Sequence, residues 1–460
     1  MEEDRTFSGS NDLSKLSDII ESFSDKNNVN QWDLGASLSK DHSVQVDKGE
    51  AKQLKAAQRS NITIRVWNKK GLVGTTSTSD LSHIGLKKAF DGALQASNYG
   101  NPNDAPNFSP SAKSNLPNIV KPIKKFQGIK SLLQTLKVAE EELLSINKSI
   151  INVPYNGLSE SYYERIYANS DGAYRYIESS QASLYLYAKA QNKGCKPRSS
   201  GSIRIAYGVE DLEINSCIKE AASKTISHLN YRPIDTGNYL VCFKPEAFLE
   251  LIGAFSSMFN ARSILDGLSL STKDSLGKRV SVQGLTLHDN AIHPSNYSSS
   301  TFDGEGTPTG NLCLINSGIL ENFLHSEATA RQFGVNPTGH AGLGSKVSVG
   351  ADWLVVSRTN DYLESNKTLQ HDVYKDPFVL IEGLNALHAG VKASQGSFSL
   401  PFDGWFVQDG ELISIEAATV AGDIRKVLNN IVQIESKQLI THQGLSPHIW
   451  VEGLSITGEE

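Results

Sequence analysis

Cysteine is scarce in this chain, and the little present is not arranged for chemistry. Cys195, Cys217, Cys242 and Cys313 form no C-x-x-C pair and gather no histidines around them. Disulfide frameworks and zinc fingers both depend on such spacing, so scattered reduced thiols are the expectation. A surplus of positive charge is missing as well: 44 Lys and Arg face 50 Asp and Glu, a net charge of −6. Phosphate backbones are held by basic surface, so direct nucleic-acid binding is disfavoured. No apolar run approaches the roughly 18 residues that span a bilayer. The opening "MEEDRTFSGSNDLSKLSDII" has neither a basic n-region nor an apolar h-region. The expectation is a cytoplasmic chain with no signal peptide and no membrane contact.

Two catalytic signatures are also absent. There is no G-x-S-x-G elbow, so a hydrolase of that type has no support. A helical zinc peptidase sets two His and a Glu on one helix, where the imidazoles hold the metal and the carboxylate activates its water. That arrangement contains a His-Glu dipeptide, and none of the eleven histidines is followed by Glu. The pair in "HDNAIH", His288 and His293, lies in β-like sequence and reads as two surface histidines beside a strand.

What is present is a folded composition, 39% hydrophobic and 20% charged, long enough for two to four domains on a rough length prior. Residues 12–24 place Leu13, Leu16, Ile19, Ile20 and Phe23 at helical spacing behind a candidate cap at Asp12. Alternating β-rich sequence follows, including "ITIRVW", and then a helix in "SDLSHIGLKKAFDGALQASN" capped at Ser79 or Asp80. Residues 98–124 carry five prolines among Asn and Ser and read as a linker. A helix in "GIKSLLQTLKVAEEELLSIN", two Tyr-rich strands turning at Asp171-Gly172, and a helix in "LEINSCIKEAASKTISHLN" come next. Those tyrosines lack a Lys/Arg groove, so they read as strand residues, not as a base-stacking platform. From about residue 232 a strand and the helix "PEAFLELIGAFSSMF" open a long series of short strands with frequent turns. The fold class is α+β, with an N-terminal α/β domain and a large, mostly antiparallel sheet or barrel-like C-terminal domain. The expected boundaries are 1–98, a linker at 99–124, a helix-hairpin-helix region at 125–231, and 232–460.

The most legible segment is "TFDGEGTPTGNLCLINSGIL", Thr301 to Leu320. It has no Lys, two acids and a following strand, so it is not a phosphate loop. It reads first as a strand-connecting loop in which Gly304 and Gly306 allow φ > 0 and Pro308 fixes φ, second as a wall of a peptide cleft, and third as a metal site.

Several stretches in this order resemble the TldD/PmbA family, also called modulators of DNA gyrase. They are "VDKGEAKQLKAAQRSNITIRVWNKKGLVGTTSTSDLS", "FKPEAFLELIGAFSSMF" with "DSLGKRV", "FDGEGTPTGNLCLINSGILENFLHSEATARQFGVNPTGHA", "LHAGVKASQGSFSLPFDGWFVQDGEL" and "VAGDIRKVLNNIVQI". The resemblance runs from about residue 30 to the end. TldD-like members carry H-E-x-x-x-H on a helix of the C-terminal domain, whereas PmbA/TldE-like members lack it and pair with a TldD-like subunit. Here the corresponding helix reads "ELIGAFSSMFNARSILDG", without histidine. The resemblance therefore implies a non-catalytic PmbA/TldE-like subunit of an intracellular metallopeptidase acting on unfolded or small peptides. Zinc is expected in the TldD-like partner, with no cofactor and no metal or catalytic residue in this chain. Asp303, Gly304, Glu305, Gly306, Thr307 and His388 are the candidates for lining a peptide cleft. The alternative is a stand-alone homodimeric module that binds peptides without hydrolysis.

Overall fold

The computed structural model describes residues 13–102, 106–344, 346–359, 370–371 and 374–458. Its first layer is one antiparallel six-stranded sheet in the order β3-β2-β1-β4-β5-β6. The strands are β1 (Gln31–Asp47), β2 (Glu50–Trp67), β3 (Val73–Thr78), β4 (Ile150–Asn169), β5 (Tyr174–Ala190) and β6 (Arg198–Ala206). Pairing of β1 with β4, from Asp33↔Asn169 to Val44↔Leu158, carries the sheet across the proline-rich segment in between. The sequence between residues 31 and 67 is two long strands, joined by a two-residue turn at Lys48 and Gly49 with φ 53 and 78. Both central residues at positive φ match the twist that a tight hairpin requires.

Helix α1 (Leu16–Asn27) and helix α2 (His83–Ala96) cover one end of this sheet, and α3 (Ile129–Ile146) and α4 (Ile214–Ser227) cover the other. Apolar residues at helical spacing face inward: Leu132, Leu136 and Leu143 of α3 pack against Val44, Leu158 and Leu184. Phe23 and Phe90 meet Trp32, Leu34, Ile62 and Ile64 at the first end. The observed cap of α2 is Ser82, whose hydroxyl accepts the Gly85 N–H, and not Ser79 or Asp80. Asp80 sits one step further out and accepts the Ser82 N–H. Asp12, the expected cap of the first helix, lies outside the described residues.

The C-terminal layer is the expected barrel-like β structure. Strands Phe378–Leu384, Gly237–Phe243, Ile449–Gly458, Ala418–Asp423 and Ser397–Gln408 pair in that order, and the last pairs back onto the first, closing a five-stranded barrel. All seams are antiparallel except that between Gly237–Phe243 and Phe378–Leu384. Phe243, Leu400, Val420, Ile449 and Val451 fill it, packed against α5 (Pro245–Ala254) through Phe248 and Ile252. The expected helix through Phe259 stops at Ala254. A single 3₁₀ turn, Ser256–Met258, follows, and Asn260 caps a new short helix, Ala261–Leu265. Among the described residues no helix is long and apolar enough to cross a membrane.

The hairpin turn at Lys48-Gly49 has a specific clamp. Glu140 of α3 is 2% exposed, and its carboxylate accepts the Lys48 N–H at 3.1 Å and the Gly49 N–H at 2.7 Å. Replacing it strands two donors, and hydrogen bonds to a charged group are worth roughly 1.5–3 kcal/mol each. Glu140→Ala is expected to lower unfolding free energy by at least about 2 kcal/mol in urea titrations. An unchanged urea midpoint would show that the clamp contributes nothing.

Candidate functional site

Loop 301–309 is built inward. Asp303 turns it: Oδ1 accepts the N–H groups of Glu305 at 2.8 Å and Thr307 at 2.9 Å, and Oδ2 accepts Ala341 N–H at 3.0 Å. Burial, then the Glu305 carboxylate, pushes the Asp303 carboxyl up to about 7 against the pull of those three donors. Glu305 is fully buried; Oε1 is 2.9 Å from Arg65 Nη1 on β2, and Oε2 accepts the Glu327 N–H at 2.8 Å. Thr307 donates to Ser109 Oγ at 2.9 Å. Gly306 does hold positive φ, at 75°, with Tyr167 where a Cβ would stand. Gly304 does not; its reason is close approach, since a Cβ there would lie 2.3 Å from the Leu343 backbone nitrogen. His388 is exposed on the short helix Leu387–Gly390.

A cavity of about 700 Å³ opens elsewhere, where β5, β6 and α4 face α5, the barrel strand Phe378–Leu384 and the segment around Leu439–His442. None of the six sequence candidates lines it. Its floor is the buried Glu382 carboxylate, 2.6 Å from Lys244 Nζ, 3.5 Å from His228 Nε2 and 3.8 Å from Lys224 Nζ. Burial alone would raise the Glu382 carboxyl, but His228, Lys244 and Lys224 outweigh it and hold it at about 2. Lys224 also pairs with Glu220 at 2.9 Å, and Glu220 with Arg204 at 2.5 Å. On the other wall Glu246, in the first turn of α5, is 3.0 Å from His442 Nδ1. Tyr187, Tyr297 and Trp353 supply aromatic surface. Charges of both signs, each pinned by a partner, beside aromatic faces suit a ligand with polar groups of both signs along an extended body.

One turn beyond Glu246, Glu250 accepts the Leu384 N–H at 2.8 Å, and burial pushes its carboxyl up to about 7. These two acids are the only metal-capable side chains on α5. Further on, Asn260 is used up as a helix cap and as a donor to Val349 O. A zinc site borne on this helix does not fit the residues present.

A sheet layer joined to a five-stranded barrel, with a charged cavity at the junction, defines the class. The chain belongs to the PmbA/TldD metallopeptidase family. Residues 32–97 match domain 1 of the PmbA/TldA metallopeptidases, 126–229 the central domain and 236–458 the C-terminal domain. The metalloprotease PmbA of Escherichia coli O157:H7 is 25% identical over 391 residues, covering 81% of this chain and 80% of that one. A crystal structure from Thermotoga maritima, described as a modulator of a DNA gyrase, superposes with a TM-score of 0.85 at 25% identity, over 97% of this chain and all of that one. TldE from Thermococcus kodakarensis shares the fold, with a TM-score of 0.77 at 19% identity over 97% of this chain and all of the other.

Sequence reasoning missed the cavity residues because they come from separate elements. A signal was present for Glu382, an acid inside the apolar run "PFVLIEGL", since a carboxylate in a buried strand demands a cation. The Glu382 carboxyl sits below its ordinary 4.5 when folded, so it adds stability above that value and loses it as pH falls toward about 2. The increment is roughly 3 kcal/mol. Glu382→Gln is expected to lack it at neutral pH and to unfold with a flatter pH profile between 4.5 and 2. Parallel profiles for the two proteins would contradict the pairing.

Proposed function

We propose that this chain is the non-catalytic, PmbA/TldE-like member of a two-subunit intracellular peptidase. It binds extended or unfolded peptide in the junction cavity, and a TldD-like partner carrying H-E-x-x-x-H supplies zinc and the hydrolytic step. The observation that carries this reading is α5: it holds Glu246 and Glu250 and no imidazole, and a catalytic zinc site needs about three protein ligands. The family relationship and the shared fold with TldE support the pairing. The cavity's mixed charge suits peptides, whose backbone and side chains present donors, acceptors and both signs of charge. Loop 301–309 serves that cavity indirectly, by fixing the two layers that wall it. The second reading, a homodimer that captures peptide without cleavage, draws on the same cavity.

Co-expression with a sibling that carries the histidine motif, followed by purification through a tag on this chain, tests the pairing. The expected result is a stable complex that cleaves an unstructured peptide, and an isolated chain that does not. Lys244→Ala in the complex is expected to raise KM for the peptide with little change in kcat, because it alters binding alone. Chelator-sensitive cleavage by the isolated chain would overturn the assignment, and retention of no sibling would leave the homodimeric reading in its place.

A further inference from the structure

Three metal-capable side chains from distant parts of the sequence meet beside the cavity. His371 precedes the barrel strand Phe378–Leu384, Glu435 follows the strand Ile431–Ile434, and His448 stands just ahead of Ile449–Gly458. One ligand atom of each lies within 4.8 Å of the others, and no other trio of His, Cys, Asp or Glu does so among the described residues. Glu435 and His448 are buried and His371 is half-buried. Both histidines line the cavity.

The two oxygens of Glu435 are used differently. Oε1 accepts the Trp450 indole N–H at 3.0 Å and the His371 backbone N–H at 2.9 Å, and lies 3.2 Å from His371 Nδ1. Oε2 faces imidazole nitrogens: His371 Nδ1 at 3.1 Å and His448 Nδ1 at 3.8 Å. An ion with tetrahedral donors about 2.0–2.1 Å away holds those donors roughly 3.3 Å apart. The observed separations straddle that value. The Trp450 N–H on Oε1 is the kind of outer contact that orients a ligating carboxylate. The two rings are stacked, with centroids 3.6 Å apart and planes 11° apart, so their lone pairs run side by side. Both lone pairs meet at one point only when the half-buried His371 ring turns out of this stack, with His448 buried in the wall.

We propose that His371, Glu435 and His448 bind one divalent transition-metal ion, zinc being the ion that two imidazoles and a carboxylate suit best. Its open coordination position faces the cavity and takes an oxygen of whatever occupies it. This site is separate from α5 and from the zinc assigned to the partner, and it stands whether or not that partnership holds.

Zinc titration of the full-length chain, stripped with chelator and followed by calorimetry and elemental analysis, tests it. The parent and a His83→Ala control, at an exposed position of α2, are expected to take one zinc per chain. His448→Ala and Glu435→Gln are expected to weaken binding by more than the roughly 10- to 100-fold that an outer-contact change costs. Glu435→Gln keeps the shape of the side chain and the role of Oε1, so a misfolded His448→Ala leaves the question decidable. A parent that binds no zinc, or variants that bind as the parent does, would overturn the proposal. Peptide cleavage is not read in this experiment; the two-subunit reading fails separately, through cleavage by the isolated chain or retention of no sibling.

Discussion

The Arg65 guanidinium is the joint on which the two layers of this protein turn. It is 1% exposed on β2 and holds Asp33 of β1 through Nε at 2.8 Å and Nη2 at 2.5 Å. Its Nη1 reaches across to Glu305 of the C-terminal layer at 2.9 Å. Tyr167 of β4 adds a hydroxyl to Asp33 at 3.1 Å. A buried charge without its partner is strongly destabilising, by about 3–5 kcal/mol when one member of a pair is removed. The geometry therefore specifies one docking of sheet on loop. Glu305 extends the joint, because its second oxygen receives the N–H at the start of helix Glu327–Phe333.

The proline-rich segment strengthens the same seam. Trp67 Nε1 donates to Pro106 O, the Asn107 N–H reaches Glu327 Oε2, and Ala112 packs with Tyr167 and Phe302. Prolines lower the entropy of the unfolded chain and so suit a strap that must lie in one path. The cavity takes walls from both layers, Lys224 from the sheet side and Glu382 and Lys244 from the barrel side. No residue of the joint lines the cavity, and contacts nearer to it, Lys224 with Glu382 and Arg198 with the Ile415 and Glu416 carbonyls, also hold the two layers together.

Much of the architecture was legible in sequence because it rests on local pattern. The inward stripe of α3, the turn at Asp171-Gly172 and the dense strands after residue 232 all follow from spacing. The break of α5 near Phe255 was not legible, since "AFSSMF" keeps apolar residues at helical spacing while its serines give no clear stop. Loop 301–309 drew attention for its two acids, but the cation that neutralises Glu305 lies 240 residues earlier. Glu435 lies 64 residues from His371, and His448 follows Glu435 after only thirteen with no motif between them. Such clusters are made by topology alone, and only the fold reveals them.

The central claim is that Arg65 and Glu305 act as one unit across the two layers. A double-mutant cycle with Arg65→Met and Glu305→Gln, read by urea unfolding, measures this directly. Each single change should cost roughly 3–5 kcal/mol, and the double variant should lose less than the sum of the two, with coupling on the order of 1–3 kcal/mol. Strictly additive losses would mean that the two groups stabilise their own layers independently, and the joint as described would not exist.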